Sequence, residues 1–124
     1  MIQLVDLSPP DLPDVHIAIE APDTVKFTGT ITSRDPAADL APFLKRVHSA
    51  VVAEGLRRVN VDVSGLTFVN SSAIRLFVDW TTWTKQEPDA TRYQLRFVSN
   101  HLVTWQKTTL MALKSLAPNV VTVA

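Results

Sequence analysis

The sequence contains no cysteine, so disulfide bonds, catalytic thiolates and cysteine-ligated metal sites are excluded. Glycine is scarce too: the three glycines stand alone at positions 29, 55 and 65, and none belongs to a glycine-rich phosphate-binding loop. No apolar run approaches the roughly 20 residues that a membrane-spanning helix needs. The first 15 residues lack the basic and apolar segments of a signal peptide, so we expect a cytoplasmic protein.

An overall excess of charge is also missing, since 12 Lys and Arg residues balance 12 Asp and Glu residues. Proteins that bind nucleic acids or anionic membranes usually carry a basic excess. We therefore expect neither a nucleic acid nor a membrane as a partner.

The three histidines do not form a metal-binding pattern. His16, His48 and His101 lie far apart and lack the spacing of a metal site, so we predict no metal and no other cofactor. His48 falls near the apolar face of the first predicted helix. It is interpreted as a partly buried, hydrogen-bonded structural histidine.

The 124 residues, 46% of them apolar, are enough for one globular domain with a proper hydrophobic core. We predict an irregular lead-in over residues 1–14, with a short edge strand at 2–5. A single domain follows over residues 15–124.

Periodic apolar residues predict a strand hairpin and then alternating helices and strands. The predicted strands cover residues 15–20, 24–31, 57–63, 93–99 and 119–124. The first predicted helix is stopped by Gly55, and the second and third cover residues 72–86 and 101–116. A turn is expected at 64–66, and Pro42 predicts a separate first turn in the first helix. The order indicates an α/β fold: a mixed, mostly parallel sheet with an N-terminal antiparallel hairpin and about three main helices.

Three polar residues, Asn70, Ser71 and Ser72, stand where the third predicted strand leads into the second helix. All three are favoured N-cap residues, and we expect one of the two serines to cap the helix. The serines could instead accept a phosphate or act as nucleophiles. A nucleophile is disfavoured, because the stretch lacks the glycines of a serine hydrolase turn. We therefore predict no enzyme activity.

The stretch VNVDVSGLTFVNSSAI, residues 59–74, resembles the signature of STAS domains, the fold of bacterial anti-sigma-factor antagonists. The order of elements over about residues 24–124, including Gly29 in an early strand, is similar to that fold as well. The segments DPAADLAPFLKRVH, NSSAIRLFVDW and TWQKTTLMAL also resemble a less-characterised group of bacterial STAS-like regulators. The resemblance implies a single STAS-like domain.

It also implies a non-enzymatic signalling module that works by partner switching. Such a module binds a regulatory serine kinase or an anti-sigma factor, phosphorylation of the motif serine breaks the complex, and a phosphatase restores it. Carried over by position, the phosphorylation candidate is Ser72, with Ser71 beside it. The predicted partner-binding residues around them are Thr32, Ser33, Arg34, Asp35, Asn70 and Arg75. Asn70 and Ala73 stand where the family usually has Asp and Gly, and Thr32 falls about where it has an acidic residue.

The second predicted helix has an unusually wide apolar arc, because Leu76, Trp80 and Trp83 form a second stripe. Either this stripe packs against a neighbouring helix, or Trp80 and Trp83 are partly exposed and take part in partner binding or in a homodimer. Trp105 is predicted to lie in the core.

The same resemblance leaves an alternative function open. The chain would then be a constitutive STAS-like subunit of a larger complex that is not phosphorylated. Exposed tryptophans and the missing acidic residue at position 70 favour that alternative.

Overall fold

The computed structural model describes residues 3–20 and 22–124. Within them the strands are β1 (Val15–Glu20), β2 (Thr24–Ile31), β3 (Arg58–Val69), β4 (Gln94–Val98) and β5 (Val121–Val123). The helices are α1 (Pro36–Glu54), α2 (Ser71–Gln86) and α3 (Thr104–Leu116), preceded by a 3₁₀ helix at Leu4–Asp6. The alternation of helices and strands predicted from the sequence is confirmed.

The five described strands form one sheet in the order β1-β2-β3-β4-β5. β1 and β2 pair antiparallel, and every later pair is parallel. Each parallel connection advances one strand in the same direction, so right-handed crossovers place all three helices on one face of the sheet. The predicted α/β class, with an N-terminal antiparallel hairpin, a mostly parallel sheet and three main helices, is therefore confirmed.

Residues of β3 alternate between the two faces of the sheet. Val59, Val61 and Val63 are fully buried, whereas the intervening Asn60 and Asp62 are half-buried. Phe77 of α2 lies at the centre of the helix-facing core. Its ring stands edge-on to Phe27 at 5.7 Å and to Phe97 at 6.1 Å. This packing fixes α2, and with it the start of α2, over the middle of the sheet.

The turn predicted at residues 64–66 is wrong, because β3 continues to Val69. Opposite β2 its register shifts between Lys26 and Thr28 and again between Gly29 and Thr30, so β3 carries extra residues as bulges. A Cβ atom on Gly65 would lie 2.7 Å from the Thr28 methyl carbon. Gly65 therefore permits close strand contact rather than a turn.

The separate first turn predicted from Pro42 is also wrong, since α1 runs unbroken from Pro36 to Glu54. Pro42 and Ala38, whose carbonyl loses its helical partner, are both exposed, so water can satisfy that carbonyl. Gly55 ends α1 in the left-handed conformation, as expected from its position.

The strand predicted at residues 2–5 is wrong for its described part, and Ile2 lies outside the described residues. Leu4 begins the 3₁₀ helix and is fully buried. Its backbone N–H donates to the Glu54 carboxylate at 3.1 Å. The apolar Leu4 is thus drawn into the core beside the end of α1 instead of pairing at the sheet edge.

Candidate partner-binding surface

The turn between β3 and α2 is built around Asn70. Its backbone is extended (φ −83°, ψ 172°), and its side-chain Oδ1 accepts a hydrogen bond from the Ala73 N–H at 2.9 Å. Asn70 is therefore the N-cap, and the expectation that Ser71 or Ser72 caps the helix is wrong. The two serines already have helical backbone conformations as the first two residues of α2, and both are exposed.

Asn70 also ties this turn to the loop between β2 and α1. Its Nδ2 donates to the Ser33 carbonyl at 2.7 Å, and its backbone N–H donates to the Ile31 carbonyl at 3.0 Å. All four residues of the loop, Thr32, Ser33, Arg34 and Asp35, are exposed. The structure thus brings together the two segments that the sequence analysis grouped, and one asparagine side chain holds both.

The start of α2 favours negative charge. The N–H groups of Ser71 and Ser72 belong to the first turn, which has no preceding helical carbonyls to pair with, and the helix macrodipole adds partial positive charge there. Arg75 follows one turn later, with a side chain 79% exposed and its Nε 3.9 Å from a carboxylate oxygen of Asp79. Such an exposed, long ion pair contributes little to stability, so the guanidinium can turn toward an incoming anion.

Phe68 is a surface residue that the sequence analysis missed. It pairs with Thr30 of β2, precedes Asn70 by two residues, and is 51% exposed. The third strand was predicted to end at Val63, so Phe68 fell in a segment without predicted secondary structure and its ring was assigned to neither face of the sheet. An aromatic residue between the serine pair and a buried strand was the available signal, because exposed aromatic side chains are enriched at protein interfaces.

Of the two alternatives for the second apolar stripe, partial exposure is wrong for Trp80, which was grouped with the candidate partner-binding residues. Trp80 is fully buried, and its Nε1 donates to the Tyr93 hydroxyl at 2.9 Å. Trp83 is half-buried on the same helix, with Lys45 Nζ of α1 5.0 Å from the ring centroid. The second apolar stripe therefore packs against a neighbouring helix, α1, which is the first of the two alternatives given above.

Known proteins were compared with the chain by sequence and by structure. No protein-family model matches the sequence, and no curated protein matches it significantly. The fold is similar to the crystal structure of an anti-sigma factor antagonist from Mycobacterium paratuberculosis, with a TM-score of 0.53. The two are 21% identical, over 90% of this chain and 88% of that chain. The fold is STAS-like. The fold inferred from residues 59–74 is therefore confirmed.

The STAS-like fold buries a polar cluster away from the β3–α2 turn. His48 Nδ1 lies 2.6 Å from the Tyr93 hydroxyl, and His48 Nε2 lies 3.4 Å from a carboxylate oxygen of Glu87. Burial lowers the pKa of His48, although the Glu87 carboxylate opposes this effect. The prediction of a partly buried, hydrogen-bonded structural histidine is confirmed.

Helix α3 is anchored by two side chains that reach β3. The Trp105 Nε1 donates to the Leu66 carbonyl at 2.8 Å, and Trp105 is half-buried against the core. The buried Gln106 side chain donates to the Val63 and Leu66 carbonyls and accepts from the Asn100 N–H at 2.7 Å. These contacts satisfy the carbonyls of the bulged part of β3 that the sequence analysis had assigned to a turn.

Two kinds of feature are absent from the described residues. No group of three or more His, Asp and Glu side chains lies close enough together to hold a metal ion in residues 3–20 and 22–124. Over the same ranges, every helix is too short or too polar to cross a membrane.

Proposed function

We propose that the chain is a non-enzymatic regulatory module that binds a partner protein through one surface at the start of α2. We define this motif surface by the loop 32–35, the turn 70–72, Arg75 and Phe68. The partner is an anti-sigma factor or a regulatory serine kinase, phosphorylation of Ser72 releases it, and a phosphatase restores binding. The similarity to a protein described as an anti-sigma factor antagonist supports the class of partner.

The observation that carries the proposal is the position of Ser72. It is exposed in the first turn of α2, next to a loop that Asn70 fixes through a 2.7 Å hydrogen bond. A kinase can reach the hydroxyl without unfolding the helix. A bound partner would contact the hydroxyl and the loop together, so that a change at Ser72 lies inside the interface rather than beside it.

A phosphate on Ser72 would be tolerated by the domain but not by the complex. It adds about −1.5 to −2 charges beside free N–H groups and the positive end of the helix dipole, which favour it. Arg75, one turn further along α2, can pair with it. For a docked partner, the same phosphate introduces bulk and a strongly hydrated charge into a buried contact, which weakens binding.

Phosphorylation is tested by incubating the protein with ATP and candidate kinases from the same genome. Intact-mass measurement should show the addition of one phosphate. Ser72→Ala should abolish the addition, and Ser71→Ala should retain it. If the wild-type chain is never modified, or Ser72→Ala is modified as well as wild type, the phosphate switch is wrong.

Partner binding is tested separately with candidate anti-sigma factors by calorimetry. Ser72→Asp should weaken binding about tenfold or more, or about 1.4 kcal/mol. Ser49→Asp is the matched control, because Ser49 is exposed on α1 and lies about 20 Å along that helix from its start. Equal affinities of the two variants would contradict the assigned surface.

A second candidate function is a constitutive subunit of a larger complex, which keeps its partner whatever the state of Ser72. The exposed Phe68 favours it, since a large aromatic side chain is costly to expose permanently. In this case Ser72→Asp binds like wild type, whereas the chain alone is oligomeric or insoluble.

A further inference from the structure

The charged residues are strongly segregated along the chain, although the total charge is zero. Residues 1–23 contain five Asp and Glu and no Lys or Arg, a net charge of −5. Residues 90–124 contain four Lys and Arg and no Asp or Glu, a net charge of +4. The segment between them carries only +1. The balanced total therefore conceals an acidic beginning and a basic end.

The fold places these two segments at opposite edges of the sheet. β1 is one edge strand and β5 is the other. The acidic edge consists of the exposed residues Asp6, Asp11, Asp14 and Glu20, which precede β1 or end it. The basic edge consists of Lys107 and Lys114, both exposed on α3, the helix that leads into β5.

The two edges cannot neutralise each other within one molecule. Four strand spacings separate β1 from β5, which is about 19 Å. At physiological ionic strength the Debye length is about 8 Å, so the charges at one edge are screened from those at the other. Each edge consequently presents its charge to the solvent and to any neighbouring molecule.

Apolar surface accompanies the charge on both edges. A groove of about 460 Å³ runs between α3 and the end of β5, beside Lys107, and is lined by Leu110, Met111 and Val123. Met111 is 52% exposed. At the acidic edge, Val5 is 41% exposed next to Asp6. A contact between the edges can therefore combine charge pairing with apolar burial.

We propose that copies of this chain associate head to tail, the acidic edge of one copy docking on the basic edge of the next. The second copy is the occupant because the complementary surface lies on the same chain and a net charge of zero removes long-range repulsion between copies. Such contacts are heterologous, so they produce open chains of molecules rather than closed two-fold dimers. The basic edge shares no residue with the motif surface, whereas Asp14 of the acidic edge lines the same hollow as Thr32 and Ser33 of the motif surface.

Sedimentation equilibrium of the whole chain tests the association. The average mass of the wild-type protein should rise with concentration at low salt and return to the monomer value at about 0.5 M salt, where the Debye length is about 4 Å. A wild-type protein that remains monomeric at low salt and high concentration overturns the proposal.

Two edge variants then test the head-to-tail geometry. One variant combines Lys107→Gln with Lys114→Gln, and the other combines Asp14→Asn with Glu20→Gln, so that the altered edges are neutral and cannot pair with each other; circular dichroism checks that both fold. Each should be monomeric alone. Mixed together, they should form a one-to-one dimer and nothing larger, because each retains one intact edge.

The remaining outcomes contradict the proposal. If the mixture does not associate, or if a variant alone still forms oligomers like the wild type, the edges are not the contact. Arg46→Glu is the control for a change in charge alone, since Arg46 is exposed on α1 and belongs to neither edge. It should associate like the wild type, whereas the matched single variant Lys107→Glu should associate less.

Discussion

The Nδ1 atom of His48 on α1 lies 2.6 Å from the hydroxyl oxygen of Tyr93, which stands just before β4. The direction of the hydrogen bonds follows from the groups involved. The Trp80 indole can only donate, and it donates to the Tyr93 oxygen at 2.9 Å. The tyrosine proton is then free to bond to the neutral His48 Nδ1, and the His48 Nε2–H faces Glu87. This chain of bonds joins α1, α2 and the start of β4.

The His48 arrangement predicts a loss of stability in mild acid. Burial places the pKa of His48 in the folded state below its ordinary value of 6.5. The unfolded chain therefore binds more protons between those two pKa values, and the free energy of unfolding falls as the pH drops below 6.5. Urea unfolding measured between about pH 7.5 and pH 5 should show this decrease. His48→Gln should show a smaller one, and equal slopes would contradict the prediction.

Tyr93 predicts a second loss of stability, at alkaline pH. Burial raises its pKa to about 12 from an ordinary value of 10.0, although the bond from Trp80 opposes the shift. The folded state holds the phenol proton that the unfolded chain releases, so stability falls as the pH rises above 10. Tyr93 is the single tyrosine of the sequence, so phenolate absorbance reports on it alone. The absorbance should rise together with loss of helical circular dichroism; ionisation near pH 10 in a folded chain would contradict this.

Removing the Tyr93 hydroxyl should destabilise the fold. In Tyr93→Phe the indole N–H of the fully buried Trp80 loses its acceptor, which costs about 1–3 kcal/mol. The free energy of unfolding in urea measures the loss. The double variant with His48→Gln supplies the control. Its loss of stability should be smaller than the sum of the two single losses by about 0.5 kcal/mol or more, because the residues share one chain of bonds. Full additivity would mean that they act independently.

Asn70 combines two functions that two substitutions can separate. Asn70→Ala removes both the cap on Ala73 and the bond to the Ser33 carbonyl, and should cost about 1–2 kcal/mol of stability. Asn70→Asp keeps an oxygen for the cap but loses the Nδ2 donor. It should retain most of the stability while backbone amides of the loop 32–35 exchange faster with solvent. If Asn70→Asp leaves this exchange unchanged, Asn70 does not hold the loop.

Local patterns were sufficient to predict the fold, because alternating valines and helical spacing can be recognised in the sequence without knowledge of distant contacts. The order of elements, the hairpin and the ends of α1 and α2 follow from such patterns. Gly65 shows where they fail. A glycine after a serine indicates a turn locally, but here the missing side chain accommodates Thr28 of a strand 37 residues earlier in the chain. No local pattern contains that contact.

The candidate site was predicted only in outline for a similar reason. Asn70, Ser71 and Ser72 are all good N-caps, and the choice among them depends on where β3 ends, which the bulges shift. Trp80 and Trp83 share one apolar stripe, but only the packing of α1 separates a buried indole from a half-exposed one. The exposure of a side chain depends on the neighbouring elements, so it could not be predicted from the pattern of one helix alone.

Phe68 should matter for binding and little for stability. Its ring is about half exposed beside the β3–α2 turn, so Phe68→Ser should change the free energy of unfolding by less than about 1 kcal/mol. If the motif surface binds an anti-sigma factor, the same substitution should weaken that affinity about tenfold or more, because aromatic anchors carry much of an interface's energy. Met111→Ser is the matched control, since Met111 is equally exposed on α3 and lies outside the motif surface. Calorimetry with the partner should show normal affinity for Met111→Ser. Equal affinity for both variants would place the binding surface elsewhere than beside Phe68.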